Sequence, residues 1–201
     1  MSSNAQTPVS AGRPRSEEAH QAILDATLAL LVEAGFSGLT VEGVATRAGV
    51  GKATIYRRWP SKLHLVIEAF RQLPGLAEVD TGDLVEDLEQ MLGSYLRILN
   101  DTPLAAVMPS LAGERAHNPE LSELIDPILR GRRKPVLRAL ERAVERGEVR
   151  DDLDLELVAD LIFGPIAMRV FFAGARINPK LVRPAIELVL KGITPRAGAS
   201  D

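Results

Sequence analysis

GVATRAGVGKATIYRRWPSKLHLVI, residues Gly43 to Ile67, carries five basic side chains and no acidic one. They are Arg47, Lys52, Arg57, Arg58 and Lys62, in a chain of 201 residues with a formal net charge of −3. Such a patch is either a solvated face or the footprint of a polyanion, because phosphate neutralisation by Lys and Arg supplies most nucleic-acid affinity. The residues between the charges decide. Thr40 suits the N-cap of a helix Val41–Ala48, and Gly49 stops that helix where a left-handed backbone is favoured. Val50 is the one apolar plug of a tight Gly-Val-Gly turn, and Gly51 caps a second helix, Lys52–Trp59, which Pro60 ends. Ser61 caps a third, starting at Lys62. Two short helices joined by a glycine-containing turn of about three residues form the unit that lays its second helix in a DNA major groove.

Stepping about 100° per residue sorts Lys52–Trp59. Ile55 and Trp59 form the buried stripe, and Ala53 and Arg57 point most directly away from it. Thr54 and Tyr56 lie on the flanks. Lys52 and Arg58 start nearer the core edge and are long enough to swing outward. Outward residues at the front of a recognition helix read base edges, while flanking hydroxyls and cations fix the register on phosphates. Gly12-Arg13-Pro14-Arg15, ahead of this unit, could serve as a minor-groove arm.

Other chemistry is excluded motif by motif. Gly51-Lys52 looks like the end of a phosphate-binding loop, but Thr46 occupies the required upstream glycine position and Ala53 follows the lysine. His20, His64 and His117 fall in different elements, and no HExxH motif, nucleophile elbow or glycine-rich cofactor loop is present. Asp151-Asp152-x-Asp154 lacks the Gly and distal Glu of a calcium loop and reads as an acidic helix start. No catalytic residue, metal ligand or cofactor is expected. The chain has no cysteine, compatible with a reducing cytoplasm, and the first fifteen residues have no apolar core of a secretory signal. The apolar run Leu161–Met168 is far too short to cross a bilayer. The reading is therefore a cytoplasmic protein and not an enzyme.

Hydrophobic residues make up 46% of the chain and aromatic ones 4%, which points to aliphatic helix packing. Charge divides unevenly: residues 1–75 hold eight Lys or Arg against six Asp or Glu, the remainder sixteen against twenty-one. The acidic balance thus belongs to a separate part of the molecule. Pro74-Gly75 is the first strong break after the fourth helix, and everything beyond has helical period. Asp83–Asn100 sets Leu84, Leu88, Met91, Leu92, Tyr95, Leu96 and Leu99 on one side. Leu104–Gly113 is short. Pro119–Arg146 turns Leu121, Leu124, Ile128, Val136, Leu140 and Val144 inward, interrupted or kinked near Pro127 and Pro135. Asp154–Phe172 is apolar on nearly every side and bent at Gly164-Pro165, so a second copy of the chain is expected to cover part of it. Pro179–Gly192 is the last helix.

At these residues a family resemblance appears. VATRAGVGKATIYRRWPSKLHLV, with ILDATLALLVEAGFSGLTV before it, resembles the DNA-binding signature of TetR-type bacterial transcriptional regulators over about Glu17 to Phe70. The resemblance implies backbone contacts for Thr40, Tyr56 and Lys62 and a base-facing set of Lys52, Ala53, Thr54 and Arg57. Arg47, Gly51 and Arg58 complete the expected DNA face. Gly51 stands where a capping Ser is common, and Gly43 where a larger polar residue is usual; both weaken the helices slightly. The stretch AVERGE, Ala143–Glu148, with the acidic turn and the Gly-Pro helix after it, is similar to one C-terminal class of that family. That similarity implies dimerisation through the last two helices as a four-helix bundle, with a ligand cavity inside the domain.

The expectation is an all-α fold of about nine helices. Residues 1–15 form a disordered tail, 16–75 a helix–turn–helix domain, 76–195 a ligand-binding and dimerisation domain, and 196–201 a second disordered tail. Leu92, Tyr95, Met108, Leu111, Ile128 and Phe163 are expected to wall the cavity, and Leu157, Leu161, Ile186 and Val189 to face the second copy. The function read from this is a ligand-responsive homodimer, a repressor released from a palindromic duplex operator by a small hydrophobic molecule. A DNA-binding regulator whose C-terminal domain only dimerises, and a helical enzyme with a fortuitous basic helix, stand beside it. Sequence names neither operator nor ligand nor regulated gene.

Overall fold

The computed structural model describes residues 12–173 and 178–194, with the backbone alone for residues 12–15 and 173. The side chains of Arg13 and Arg15, the tail 196–201 and most of the first tail lie outside the described residues, although the first helix already begins at Gly12. The chain divides into two compact units, the first ending at Phe70 rather than near Gly75. The described residues form nine α-helices, one π-helical turn and one 3-10 turn, with no strand.

The first unit holds α1 (Gly12–Gly38), α2 (Val41–Ala48), α3 (Lys52–Tyr56) and all but the last two residues of α4 (Lys62–Gln72). Ile23, Leu24, Leu31, Val44, Ile55, Leu65, Val66 and Phe70 are almost fully withdrawn from water and make its core. Gly35 interrupts α1 with φ 68° and ψ −178°, a region essentially closed to any residue with a side chain. The break turns Phe36 and Leu39 into the core ahead of α2. α3 stops at Tyr56, three residues short of the expected Trp59. Trp59 precedes Pro60, which disfavours the helical conformation for it, although its N–H still reaches the Ile55 carbonyl at 2.9 Å.

The second unit holds α5 (Leu84–Asp101), α6 (Leu104–Arg115), α7 (Pro119–Glu145), α8 (Leu155–Met168) and α9 (Val182–Ile193). α5 packs against α6, α7 and α9, while α8 packs against α7 and α9. Asp83 and Asn118 cap α5 and α7 through bonds from Glu86 and Leu121 N–H groups. α7 is one element through Pro127 and Pro135, not interrupted. Each proline forfeits one bond, which a helix of 27 residues absorbs. Its buried positions are Leu121, Ile125, Val136, Ala139, Leu140 and Ala143, whereas Leu124, Ile128 and Val144 are only half-buried. Asp154 accepts the Glu156 and Leu157 N–H groups, and Asp152 pairs with Arg150, so the acidic turn starts α8. The long apolar helix expected to Phe172 ends at Met168 and passes into a π-helical turn, Arg169–Ala173.

The stretch between α4 and α5 is irregular but tied down. Thr81 donates its N–H and hydroxyl to the fully buried Asp87 carboxylate at 2.7 and 2.8 Å. Arg142 reaches the Val79 carbonyl at 2.6 Å, and Arg138 and Arg142 hold Glu78 at 2.7 and 2.9 Å, keeping its carboxyl below the usual range. Arg132 donates to the carbonyls of Leu73 and Pro74, each at 2.7 Å.

Gly49 tests the turn. It sits at φ 65° with open space where a Cβ would stand, so any cost of a side chain there is backbone strain. Gly49→Ala is expected to lose about 1–2 kcal/mol of stability in chemical denaturation. Gly51→Ser, at φ −75° with equally open space, should stay within about 0.5 kcal/mol, on the stabilising side. Equal effects of the two changes would contradict this account.

Candidate nucleic-acid interface and a pocket in the second unit

The turn between α2 and α3 is built by local bonds. The Thr40 hydroxyl accepts the Gly43 N–H at 3.0 Å and starts α2. At the other end the Val50 N–H reaches the Ala45 carbonyl at 3.0 Å and the Gly49 N–H reaches Thr46 at 3.3 Å, the paired closure of a left-handed C-cap. Val50 is half-buried. Gly51 begins α3 without a side-chain cap. Ile55 (1% exposed) and Trp59 (6%) anchor α3 from below, and the Trp59 ring stacks on His20 at 5.2 Å. Ser61 accepts the His64 N–H at 3.4 Å and starts α4.

This anchoring turns the other face of α3 outward. Gly51, Lys52, Ala53, Tyr56 and Arg57 are exposed, and Thr54 and Arg58 are half-buried on the flanks. Tyr56 keeps half of its surface in water. Thr40 and Arg47 are exposed on α2 beside them. The ten residues expected on a DNA face are therefore neighbours in one segment, none of them in the core.

Most of the cations have partners inside the unit. Arg47 makes a two-pronged pair with Glu33 at 2.6 and 2.7 Å, which lowers the Glu33 pKa and raises that of Arg47. Lys52 pairs with Glu42 and lowers its pKa. Arg58 binds the Ser16 hydroxyl and carbonyl at 2.6 and 2.9 Å. Lys62 is half-buried, with its ammonium on the Phe36 carbonyl at 3.0 Å and 4.5 Å from the Phe36 ring centre. Among the described residues, only Arg57 of the five presents a cationic group with no such partner. These partners lie up to 42 residues away in sequence, and no periodicity announces them.

In the second unit a cavity of about 300 Å³ is lined by apolar side chains, including Tyr95, Leu104, Met108, Leu129, Phe163 and Phe171, with Arg132, Arg133 and Asp160 as its charged members. Tyr95 and Phe163 meet edge to face at 5.5 Å, and burial raises the Tyr95 pKa. Three of the six expected wall residues thus line it: Tyr95, Met108 and Phe163. Leu111 is core at 1% exposure, and half-buried Ile128 is not in the lining. Leu92 instead lines a separate apolar groove of about 250 Å³ beside α8 and α9. Sequence reading missed Arg132 and Arg133, because on a long helix rich in arginine nothing distinguishes an inward guanidinium from a solvated one.

α8 shows two apolar stripes. Val158, Ile162 and Ile166 are buried, while Leu157 and Leu161 are 55% and 53% exposed. Leu188 on α9 is 73% exposed, and Val189 is half-buried. Ile186, expected on the same face, is fully buried in its own unit, since it occupies the core side of α9 two positions from Leu188. No helix among the described residues is long and apolar enough to cross a membrane.

Comparison with known proteins agrees with both units. A family model described as bacterial regulatory proteins, tetR family, matches residues 23–69, and one described as tetracyclin repressor-like, C-terminal domain, matches residues 78–189. The chain is 33% identical to the HTH-type transcriptional regulator YdeS of Bacillus subtilis, over 90% of this chain and 93% of that one. It is 30% identical to the DNA-binding transcriptional repressor TetR of Mycobacteroides abscessus, over 91% and 98% of the two chains. Its fold is similar to that of the transcriptional regulator FadR from Bacillus subtilis, solved in complex with stearoyl-CoA, with a TM-score of 0.72 at 25% identity over 87% of this chain and 99% of that one. With the helix–turn–helix geometry and these matches together, the chain belongs to the TetR family of DNA-binding transcriptional regulators, a family of regulators rather than enzymes.

Proposed function

We propose that the protein is a homodimeric repressor that leaves a pseudo-palindromic operator when a small hydrophobic molecule enters the cavity of its second unit. The observation that carries this reading is the division of labour. One unit turns a short basic helix outward on a hydrogen-bonded turn, and the other holds a pocket with a mainly apolar wall. The repressor relative and the acyl-CoA complex of FadR support the two halves of the reading.

On this reading Lys52, Ala53, Thr54 and Arg57 read base edges, and Thr40, Arg47, Tyr56, Arg58 and Lys62 meet the DNA backbone. Arg57 is the cation ready for a base without first surrendering a partner. Lys62 uses one donor on Phe36 and keeps two for a phosphate. Leu157, Leu161, Leu188 and Val189 form the dimer face, with Leu188 in the place first given to Ile186. Two copies so joined would set their recognition helices about 34–36 Å apart, one turn of duplex. α4 links the events, because its residues Lys62–Phe70 belong to the DNA-binding unit and its end at Gln72 to the other. A ligand changes DNA affinity only by binding the two conformations unequally, and a coupling of about 1–3 kcal/mol gives a 5- to 150-fold change.

The deciding experiment measures affinity for a duplex selected from a random pool, with and without apolar compounds that raise the melting temperature. Weakened duplex binding is expected. Compounds that bind while duplex affinity stays unchanged would leave the second unit a purely dimerising one.

Two variants test the assignments. Arg57→Ala should weaken the selected duplex by about 1–3 kcal/mol and relax discrimination at one base step. Equal loss on selected and random duplex would make Arg57 a phosphate contact instead. Leu161→Glu should convert a dimer at micromolar concentration, followed by sedimentation, into monomer; an unmodified protein that is already monomeric sinks the dimer.

A further inference from the structure

Each charged group in the lining of the second unit's pocket already has a partner, whereas the Tyr95 hydroxyl on the same wall has none among the described residues. Resting on the ligand-binding half of the reading above, we infer that the pocket takes an uncharged aromatic molecule with a hydrogen-bond acceptor, and that the Tyr95 hydroxyl donates to that acceptor.

The charges exclude an ionic occupant. Arg133 is held by Asp160 at 2.8 Å and by Glu156 at 3.1 Å, which also engages Asp160. Arg132 donates to the carbonyls of Leu73 and Pro74, each at 2.7 Å, and has a further partner besides. An ion entering here leaves water and finds its counter-ions taken, so it must break an existing contact to be paired. An uncharged molecule meets no such cost.

Tyr95 sets the polar requirement. Its oxygen makes no hydrogen bond, yet it is not closed off from solvent. Burial raises the pKa of the phenol, and the nearby Arg132 charge opposes this as the lesser effect, so the group stays neutral. The same charge orients it. A hydroxyl dipole turns its oxygen toward a cation and its hydrogen away. Tyr95 thus offers a proton rather than a lone pair, which a carbonyl, an ether or a ring nitrogen can accept.

The remaining wall favours a flat ring. The chain has five Phe, two Tyr and one Trp, and three of these rings, Tyr95, Phe163 and Phe171, line this pocket. Tyr95 and Phe163 meet edge to face with centres 5.5 Å apart, a geometry that a further aromatic ring can continue. A volume of about 300 Å³ is at the small end for ligand sites and leaves room for about two fused rings.

Three naphthalenes of nearly one shape test this. 2-Acetylnaphthalene carries an acceptor, 2-isopropenylnaphthalene carries none, and 2-naphthoate carries a charge. Calorimetry on the full chain should show the ketone and the hydrocarbon binding, with naphthoate at least about tenfold weaker than the ketone. Tyr95→Phe keeps the ring beside Phe163, and it should weaken the ketone by about three- to tenfold while the hydrocarbon binds as before. The naphthoate comparison needs no variant, so a poorly folding Tyr95→Phe does not spoil the test. Naphthoate that binds as tightly as the ketone overturns the proposal, as does the failure of all three to bind. A ketone indifferent to Tyr95→Phe, or a hydrocarbon weakened equally by it, overturns the donor role and leaves Tyr95 a packing residue. Ligand control is read separately, from affinity for a duplex selected from a random pool. If the bound ketone leaves that affinity unchanged, ligand control falls while the chemistry inferred for the pocket stands.

Discussion

Five residues are too few for a helix to persist in water, where about 12–15 are marginal even for good helix formers, so α3 exists only because its surroundings hold it. Three constraints do this. Gly49 reverses the chain in a left-handed conformation, Ile55 and Trp59 are sunk in the core of the first unit, and Pro60 forbids continuation. Together they fix the axis and rotation of the helix, and that rotation turns Ala53, Tyr56 and Arg57 outward. Any change that loosens the turn or the Trp59 seat acts on the direction of those side chains before it touches their chemistry.

The parts legible in the sequence are those governed by short-range rules. Thr40, Gly49, Ser61, Asp83 and Asp154 stand at helix ends where capping chemistry demands such residues, and the boundaries they mark hold within a residue or two. The buried stripe of α5 follows directly from its spacing. What could not be read is what depends on a partner from another element. Glu33 meets Arg47 across fourteen residues and Phe36 meets Lys62 across twenty-six. On α9 the pattern offers Ile186, Leu188 and Val189 alike, and only the packing of α9 on α5 and α8 decides that Ile186 goes inward. The cavity wall was half legible for the same reason: periodicity says that Leu111 is buried, not whether it borders a gap or a neighbour.

The second unit is held by arginines as well as by aliphatic packing. Arg132, Arg138 and Arg142 lie along one helix, and each reaches the irregular stretch after α4. Buried and half-buried polar contacts of this kind are worth modest net energy when complete and are costly when one partner is lost. They tie that stretch to α7 through directional bonds, which a purely aliphatic contact would not supply.

The internal pairing of Arg47, Lys52 and Arg58 also bears on how such a protein searches. Non-specific affinity for DNA comes from cations that release counterions as they meet phosphate. A guanidinium already matched to Glu33, or a lysine matched to Glu42, has less to gain from an arbitrary stretch of duplex. With these residues on the DNA face, as proposed, the rest of a genome, with millions of competing sites, would retain fewer copies of the protein. On a surface of this kind, discrimination comes partly from how little the protein holds where the sequence is wrong.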